Sequence, residues 1–177
     1  MPPLTFRLAT AQDIDPLADL VNSAYRGDSS RAGWTTEANL LGGQRTDSDE
    51  IRSLLETTGS TILIGMQGKD IIASLHLQQD GTRAYLGMFA IRPDLQGAGI
   101  GKHCLQQAEH HARQRWGAST MLMTVITLRH ELIAYYERRG YRHTGILKPF
   151  PTSPRFGIPK VDGLELMVLE KVLDTTD

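Results

Sequence analysis

One cysteine in 177 residues, Cys104, excludes an intrachain disulfide framework, so the chain must rest on an ordinary hydrophobic core and suits a reducing, cytoplasmic setting. Cys104 falls on the apolar side of a predicted helix, the place of buried filler rather than of a nucleophile. No apolar run approaches the roughly 18 residues that a membrane helix needs. The opening Met1-Pro2-Pro3-Leu4 lacks a signal-peptide pattern. Neither sign of charge dominates: 19 basic against 20 acidic residues give a formal charge of −1, which removes any electrostatic reason to expect capture of nucleic acid or of an anionic membrane. A cationic patch would have to be local, as at Lys102. Internal repeats and low-complexity tails are missing too. The length and a 40% hydrophobic composition suit one domain, residues 1–177, with a core of its own.

What is present is alternation and helical periodicity in turn. Leu4, Phe6 and Leu8 alternate with Thr5, Arg7 and Ala9, as in a half-buried strand. Ile14, Leu17, Val21 and Ala24 then recur at helical spacing, with Thr10-x-x-Asp13 and Asp15-Pro16 as rival start signals. Residues 26 to 46 are polar and glycine-bearing around Trp34, a long loop with room for a helical turn. Asp47-x-x-Glu50 can cap a short helix through Ile51, Leu54 and Leu55 that Gly59 ends.

Thr61 to Met66, Ile71 to Gln78 and Thr82 to Ile91 read as an antiparallel meander, divided by hairpin turns at Gln67-Gly68-Lys69-Asp70 and Gln79-Asp80-Gly81. A helix over Gly99 to Trp116 and the continuous apolar run Met121 to Ile126 predict a crossover to a buried parallel strand. Thr127 can cap a helix that ends at Gly140. Strands at Tyr141 to Leu147 and Leu164 to Val172 flank the proline-rich connection Lys148 to Asp162, which reads as an ordered loop or lid.

Between the meander and the long helix stands Gln96-Gly97-Ala98-Gly99-Ile100-Gly101-Lys102. Glycines there let a ligand approach the main chain, and the first N–H groups of the helix lack intrahelical partners, so the turn is a cradle for phosphate or pyrophosphate. A P-loop is excluded, because Gln96 stands at its first glycine and His103 follows the lysine. A dinucleotide fingerprint is excluded as well, because Lys102 or Cys104 stands where its third glycine belongs. Gln96, Gly99 and Gly101 instead fill Gln/Arg-x-x-Gly-x-Gly/Ala. With Ile91-Arg92-Pro93-Asp94 before it and Ala134-Tyr135-Tyr136-Glu137-Arg138-Arg139-Gly140-Tyr141 after it, this pattern resembles the acyl-CoA loop and second signature of the GNAT superfamily of N-acetyltransferases.

The resemblance implies a mixed α/β fold, a central twisted sheet of about seven strands flanked by about four helices and splayed between its fourth and fifth strands. It also implies acetyl-CoA as co-substrate: Phe89, Ala90 and Ile91 along the pantetheine arm, Gln96, Gly97, Ala98, Gly99, Ile100, Gly101 and Lys102 on the pyrophosphate. The expected reaction is direct acetyl transfer to a primary amine of a small molecule, amino acid or peptide. Tyr136 matches the family tyrosine, and a phenol stays protonated at neutral pH, fit to donate to a departing thiolate; its neighbour Tyr135, about 100° round the helix, is the expected core residue. The family forms its acceptor site from the loop after the first helix, here Trp34 and Glu37. The alternative from another class is a non-catalytic acyl-CoA-binding module, and a longer acyl group such as succinyl is a third reading. Dimers are common in the family, yet no residue pattern here marks an interface.

Two positions depart from the family pattern. Arg129 stands where an asparagine commonly contacts CoA, and Tyr85 where a strand glutamate commonly serves as base, which leaves the base unassigned. His76 has the chemistry of a base but reads better as a hydrogen-bonded sheet histidine. His103 and His110 lie two helical turns apart and His111 diverges from its neighbour, so no metal site is expected.

Overall fold

A computed structural model describes residues 3–151, 153 and 157–173. Strand β1 (Leu4–Leu8) leads through a short turn into helix α1 (Ile14–Tyr25), and a long loop then carries β2 (Leu41–Gly42) to helix α2 (Ser48–Glu56). The meander follows as β3 (Ser60–Gln67), β4 (Asp70–Asp80) and β5 (Arg83–Ile91). After the glycine turn come helix α3 (Ile100–Trp116), β6 (Thr120–Ile126), helix α4 (His130–Arg138), β7 (Arg142–Pro149), β8 (Ile158–Pro159) and β9 (Glu165–Val172). Seven strands form one sheet in the order β1-β3-β4-β5-β6-β9-β7, antiparallel except for the β5–β6 pair, and β2 pairs with β8 beside it. Among the described residues no helix is long and apolar enough to cross a membrane.

Local chemistry places the elements where the spacing expects them, with one shift. The Asp47 carboxylate accepts the Glu50 N–H at 2.8 Å and so starts α2. Before α1, the Asp13 carboxylate accepts the Thr10 N–H at 2.8 Å and pairs with Arg7 at the same distance. Thr127, however, caps nothing: its N–H joins the sheet through Glu165 C=O, and α4 begins three residues later behind Arg129. The pair β2–β8, two residues on each side, also went unpredicted, because strands that short carry no period. Part of the predicted lid, residues 152 and 154–156, lies outside the described residues.

The sheet separates two apolar layers. Leu63, Leu75, Leu77, Ala84 and Leu86 pack on the face covered by α3, while Ile62, Ile64, Met88 and Ala90 pack against α1 and α2. Strand β5 therefore changes faces midway: Ala84 and Leu86 point one way, Met88 and Ala90 the other, although all four fall on one period-two phase. The cause is a β-bulge. Between the pairs His76↔Gly87 and Ser74↔Ala90, β5 advances three residues while β4 advances two, and Met88 takes a positive φ of 45° to absorb the extra residue. The bulge lies just beyond Tyr85↔Leu122, the last pair that β5 makes with β6.

Candidate active site

Strands β5 and β6 pair only through Arg83↔Thr120, Ala84↔Met121 and Tyr85↔Leu122, then separate. Where they part, the Tyr85 hydroxyl and Thr124 Oγ1 meet at 3.1 Å. Beyond that bridge, residues 86–91 of β5 have no ladder partner on the β6 side, an open edge of main-chain groups. Two cavities of about 410 and 290 Å³ lie along the opening.

Gly97, Gly99 and Gly101 line the larger cavity at the start of α3. Gly97 and Gly99 hold φ of 87° and 83°, and a Cβ at either would meet open space rather than protein. Gly101 is required for a different reason, since a Cβ there would collide with the Tyr135 hydroxyl. The opposite wall is Trp34 and Tyr135, ring centroids 5.3 Å apart, with the Arg139 guanidinium 3.6 Å over Tyr135. Gln96 braces the turn with its amide, donating to Thr35 Oγ1 at 2.7 Å and Ile91 C=O at 3.0 Å and accepting the Thr35 N–H at 3.1 Å.

Tyr25, Phe89, Leu132 and Tyr136 belong to both cavities and form the partition between them. The tyrosine hydroxyls here and at the neighbouring Tyr141 differ in availability. Tyr25 donates to Phe89 C=O, fixing the end of α1 on the open strand, and Tyr141 donates to Glu109 at 3.0 Å. The Tyr136 hydroxyl has no hydrogen-bond partner among the described residues, though the residue is only 5% exposed. Burial, together with the nearby Tyr25, holds the Tyr136 phenol well above its ordinary pKa, so it stays protonated.

The smaller cavity is lined by Arg26, Glu37, Arg45 and Arg129 together with Tyr85 and Thr124. Glu37 receives Arg26 at 3.1 Å and Arg129 at 3.2 Å, and all three side chains are buried. Arg129 also donates to Thr35 C=O, strapping the long loop to the start of α4.

These positions revise several expectations. Glu37 is neither solvated nor free to meet an amine; it is neutralised by two arginines. Trp34, expected beside it at the acceptor, faces the glycine turn instead. Tyr135 is the half-exposed wall of a cavity and Tyr136 the more buried of the two, the reverse of the expected assignment to the core. Phe89 and Ile91 line the larger cavity; Ala90 and Ile100 are buried, and Ala98 and Lys102 are exposed outside its lining. Tyr25, Arg26 and Arg45 went unnoticed. Tyr25 follows the buried positions Val21 and Ala24, and a phenol ending an apolar helical stripe was the available signal.

His76 lines neither cavity. Its Nε2 lies 2.8 Å from Ser60 Oγ, and burial, with a smaller contribution from Arg45, pulls its pKa from 6.5 to about 4. An imidazole that stays neutral in the folded state costs stability once the unfolded chain protonates. Stability should therefore fall as pH drops from 6.5 towards 4, by roughly 3 kcal/mol over that window. The Asp13 carboxylate, held at about 2 chiefly by its hydrogen bonds to Arg7, loses its own contribution only at lower pH. Urea unfolding at pH 7.5 and 5.0 checks this: His76→Gln should flatten the difference seen in the wild type. His111 packs edge-on against Trp116 at 5.3 Å, and no group of three or more metal-ligating side chains occurs among the described residues.

Comparison with known proteins matches residues 20–141 to the acetyltransferase (GNAT) family. The ribosomal-protein-S18-alanine N-acetyltransferase of Escherichia coli superposes with a TM-score of 0.71 at 17% identity, covering 99% of this chain and 97% of that one. Salmonella typhimurium yncA, assigned as an acetyltransferase and solved with its cofactor acetyl-CoA, gives 0.69 at 19% identity, with 97% and 95% covered. A chimera of the spermidine N-acetyltransferase SpeG from Vibrio cholerae with hSSAT gives 0.69 at 15% identity, with 96% and 95% covered. No curated protein matches the sequence. At these identities the structures share the fold, and the acceptors in their names, a protein and a polyamine, differ in kind.

Proposed function

Since the chain belongs to the acetyltransferase (GNAT) family, we propose that it transfers an acetyl group from acetyl-CoA to the primary amine of a small molecule, amino acid or peptide within a ternary complex. The carrying observation is the Tyr136 hydroxyl, buried on the partition that two cavities share and without a hydrogen-bond partner among the described residues, its burial favouring the protonated form.

The residues fit the co-substrate. The turn from Gly97 to Gly101 leaves open space where side chains would stand, and the unpaired N–H groups at the start of α3 suit a pyrophosphate. The open edge of β5 offers main-chain groups to the amides of pantetheine, as a sheet edge does to any extended chain. Acetyl-CoA supplies an activated thioester. The bulge at Met88 and the Tyr25 bond to Phe89 fix the backbone beside which that thioester would lie, and preset main-chain dipoles stabilise developing charge without reorganising.

The acceptor amine enters through the smaller cavity and attacks across the partition. Tyr136 donates its proton to the departing thiolate. Tyr85 and His76 supply no base, the one hydrogen-bonded to Thr124 and the other outside both cavities, so the ammonium proton leaves to solvent.

Free-thiol release from acetyl-CoA, measured against a broad amine panel, tests the reading. Amine-dependent release supports a transferase; tight acetyl-CoA binding with no turnover would favour a non-catalytic acyl-CoA-binding module. Gly99→Trp should raise the acetyl-CoA Kd at least tenfold, because its side chain fills the cradle and its backbone must hold a strained positive φ. Isothermal titration reads that shift directly, and an unchanged Kd would remove the glycine turn from the site.

A further inference from the structure

The charged groups lining the smaller cavity are three guanidiniums, of Arg26, Arg45 and Arg129, and one carboxylate, of Glu37, an excess of two positive charges among the described residues. One of the two is shared over the buried Arg26–Glu37–Arg129 triad. The other is Arg45, which is half-buried and has no carboxylate or carbonyl partner for its side chain among the described residues. Its backbone is nevertheless fixed: Asn22 Oδ1 accepts the N–H groups of Arg45 at 2.7 Å and Thr46 at 3.0 Å, and Asn22 Nδ2 donates to Thr46 C=O at 3.0 Å. A guanidinium held on a clamped backbone in a cavity, its donors unused by the described residues, is a prepared anion site.

Its position relative to the chemistry is also set. The Arg45 and Arg129 guanidiniums lie 5.9 and 5.8 Å from the centroid of Tyr25, whose hydroxyl holds Phe89 C=O on the open strand. The cationic groups therefore stand one aromatic ring away from the strand segment beside which the acetyl group would lie. Arg138 and Arg139 belong to the glycine-turn cavity, across the partition, so the phosphates of the co-substrate do not need Arg45.

Building on the transferase reading, we propose that the acceptor is an amine that also carries an anionic group, such as the free carboxylate of an amino acid, and that Arg45 binds that anion. A polyamine would place a second cation against the same guanidiniums, at a cost in affinity. Discrimination then comes from charge more than from shape, because the half-buried Arg45 guanidinium gains no counter-ion from an acceptor lacking the anion.

The test compares kcat/KM for a set of α-amino acids as free acids and as carboxamides, with spermidine as a polycationic probe, in wild type, Arg45→Gln and Arg45→Lys. The expected result is a preference for the acids over their amides of about tenfold to a hundredfold, carried by KM. Arg45→Gln should lower that preference to near unity with the acetyl-CoA Kd unchanged, and Arg45→Lys should keep part of it. Amides or spermidine turned over as well as the acids would overturn the proposal, as would an Arg45→Gln variant that loses acids and amides alike. A protein that binds acetyl-CoA yet releases no thiol with any of these amines would overturn the transferase reading beneath it.

Discussion

Tyr136→Phe should lower kcat roughly 10²- to 10³-fold while leaving the acetyl-CoA Kd within about twofold of wild type, the signature of a lost proton donor. The substitution removes one oxygen from a ring otherwise packed edge-on against Tyr135 at 5.5 Å and Tyr141 at 5.9 Å, so the fold has no reason to respond. No hydrogen bond to a described residue is broken, and thermal stability should stay close to wild type. The phenol sits well above its ordinary pKa because it is buried, and Tyr25 adds to the shift. Activity should accordingly persist into the alkaline range, with no falling limb from Tyr136 below about pH 10. Stopped-flow or steady-state thiol release across pH 7 to 10 checks both parts. An unchanged kcat would transfer the proton to water and leave Tyr136 as packing.

The element order was legible in the residues because most of it follows from periodicity and punctuation. Gly68 and Gly81 mark both hairpins at positive φ, Asp47 caps its helix, and the apolar run of β6 declares a strand, fully buried on the face of Met121, Met123 and Val125 and partly buried on the other. The bulge was not legible. Ala84, Leu86, Met88 and Ala90 keep one unbroken alternation in sequence, and only pairing with β4 reveals that the last two have changed faces. The cleft opens beside that one extra residue. Charge pairing was equally hidden: Glu37 meets Arg26 from 11 positions away and Arg129 from 92, and no local spacing connects them. What the chain states plainly is the glycine turn, built from consecutive residues. The smaller cavity is assembled from α1, the long loop, β5, β6 and the start of α4, so its chemistry appears only once the chain is folded.

The buried triad carries the largest stability consequence. Glu37→Ala should cost about 3–5 kcal/mol, a large share of what a domain of this kind has, because it strands two guanidiniums away from water. Their side chains are 4% and 8% exposed, and burial already pulls the Arg26 pKa below its ordinary value although Glu37 pushes it up. By contrast Arg52 and Asp49, 3.5 Å apart on the surface of α2, can be separated with little measurable effect. Urea unfolding at pH 7 distinguishes the two cases. In a double-mutant cycle, Arg129→Ala added to Glu37→Ala should cost less than the sum of the single changes, since removing the carboxylate and one arginine together leaves one buried guanidinium without its carboxylate rather than two. Additive losses, or a Glu37→Ala cost no greater than that at Asp49, would mean that water reaches the triad and that the excess positive charge of the smaller cavity is screened there.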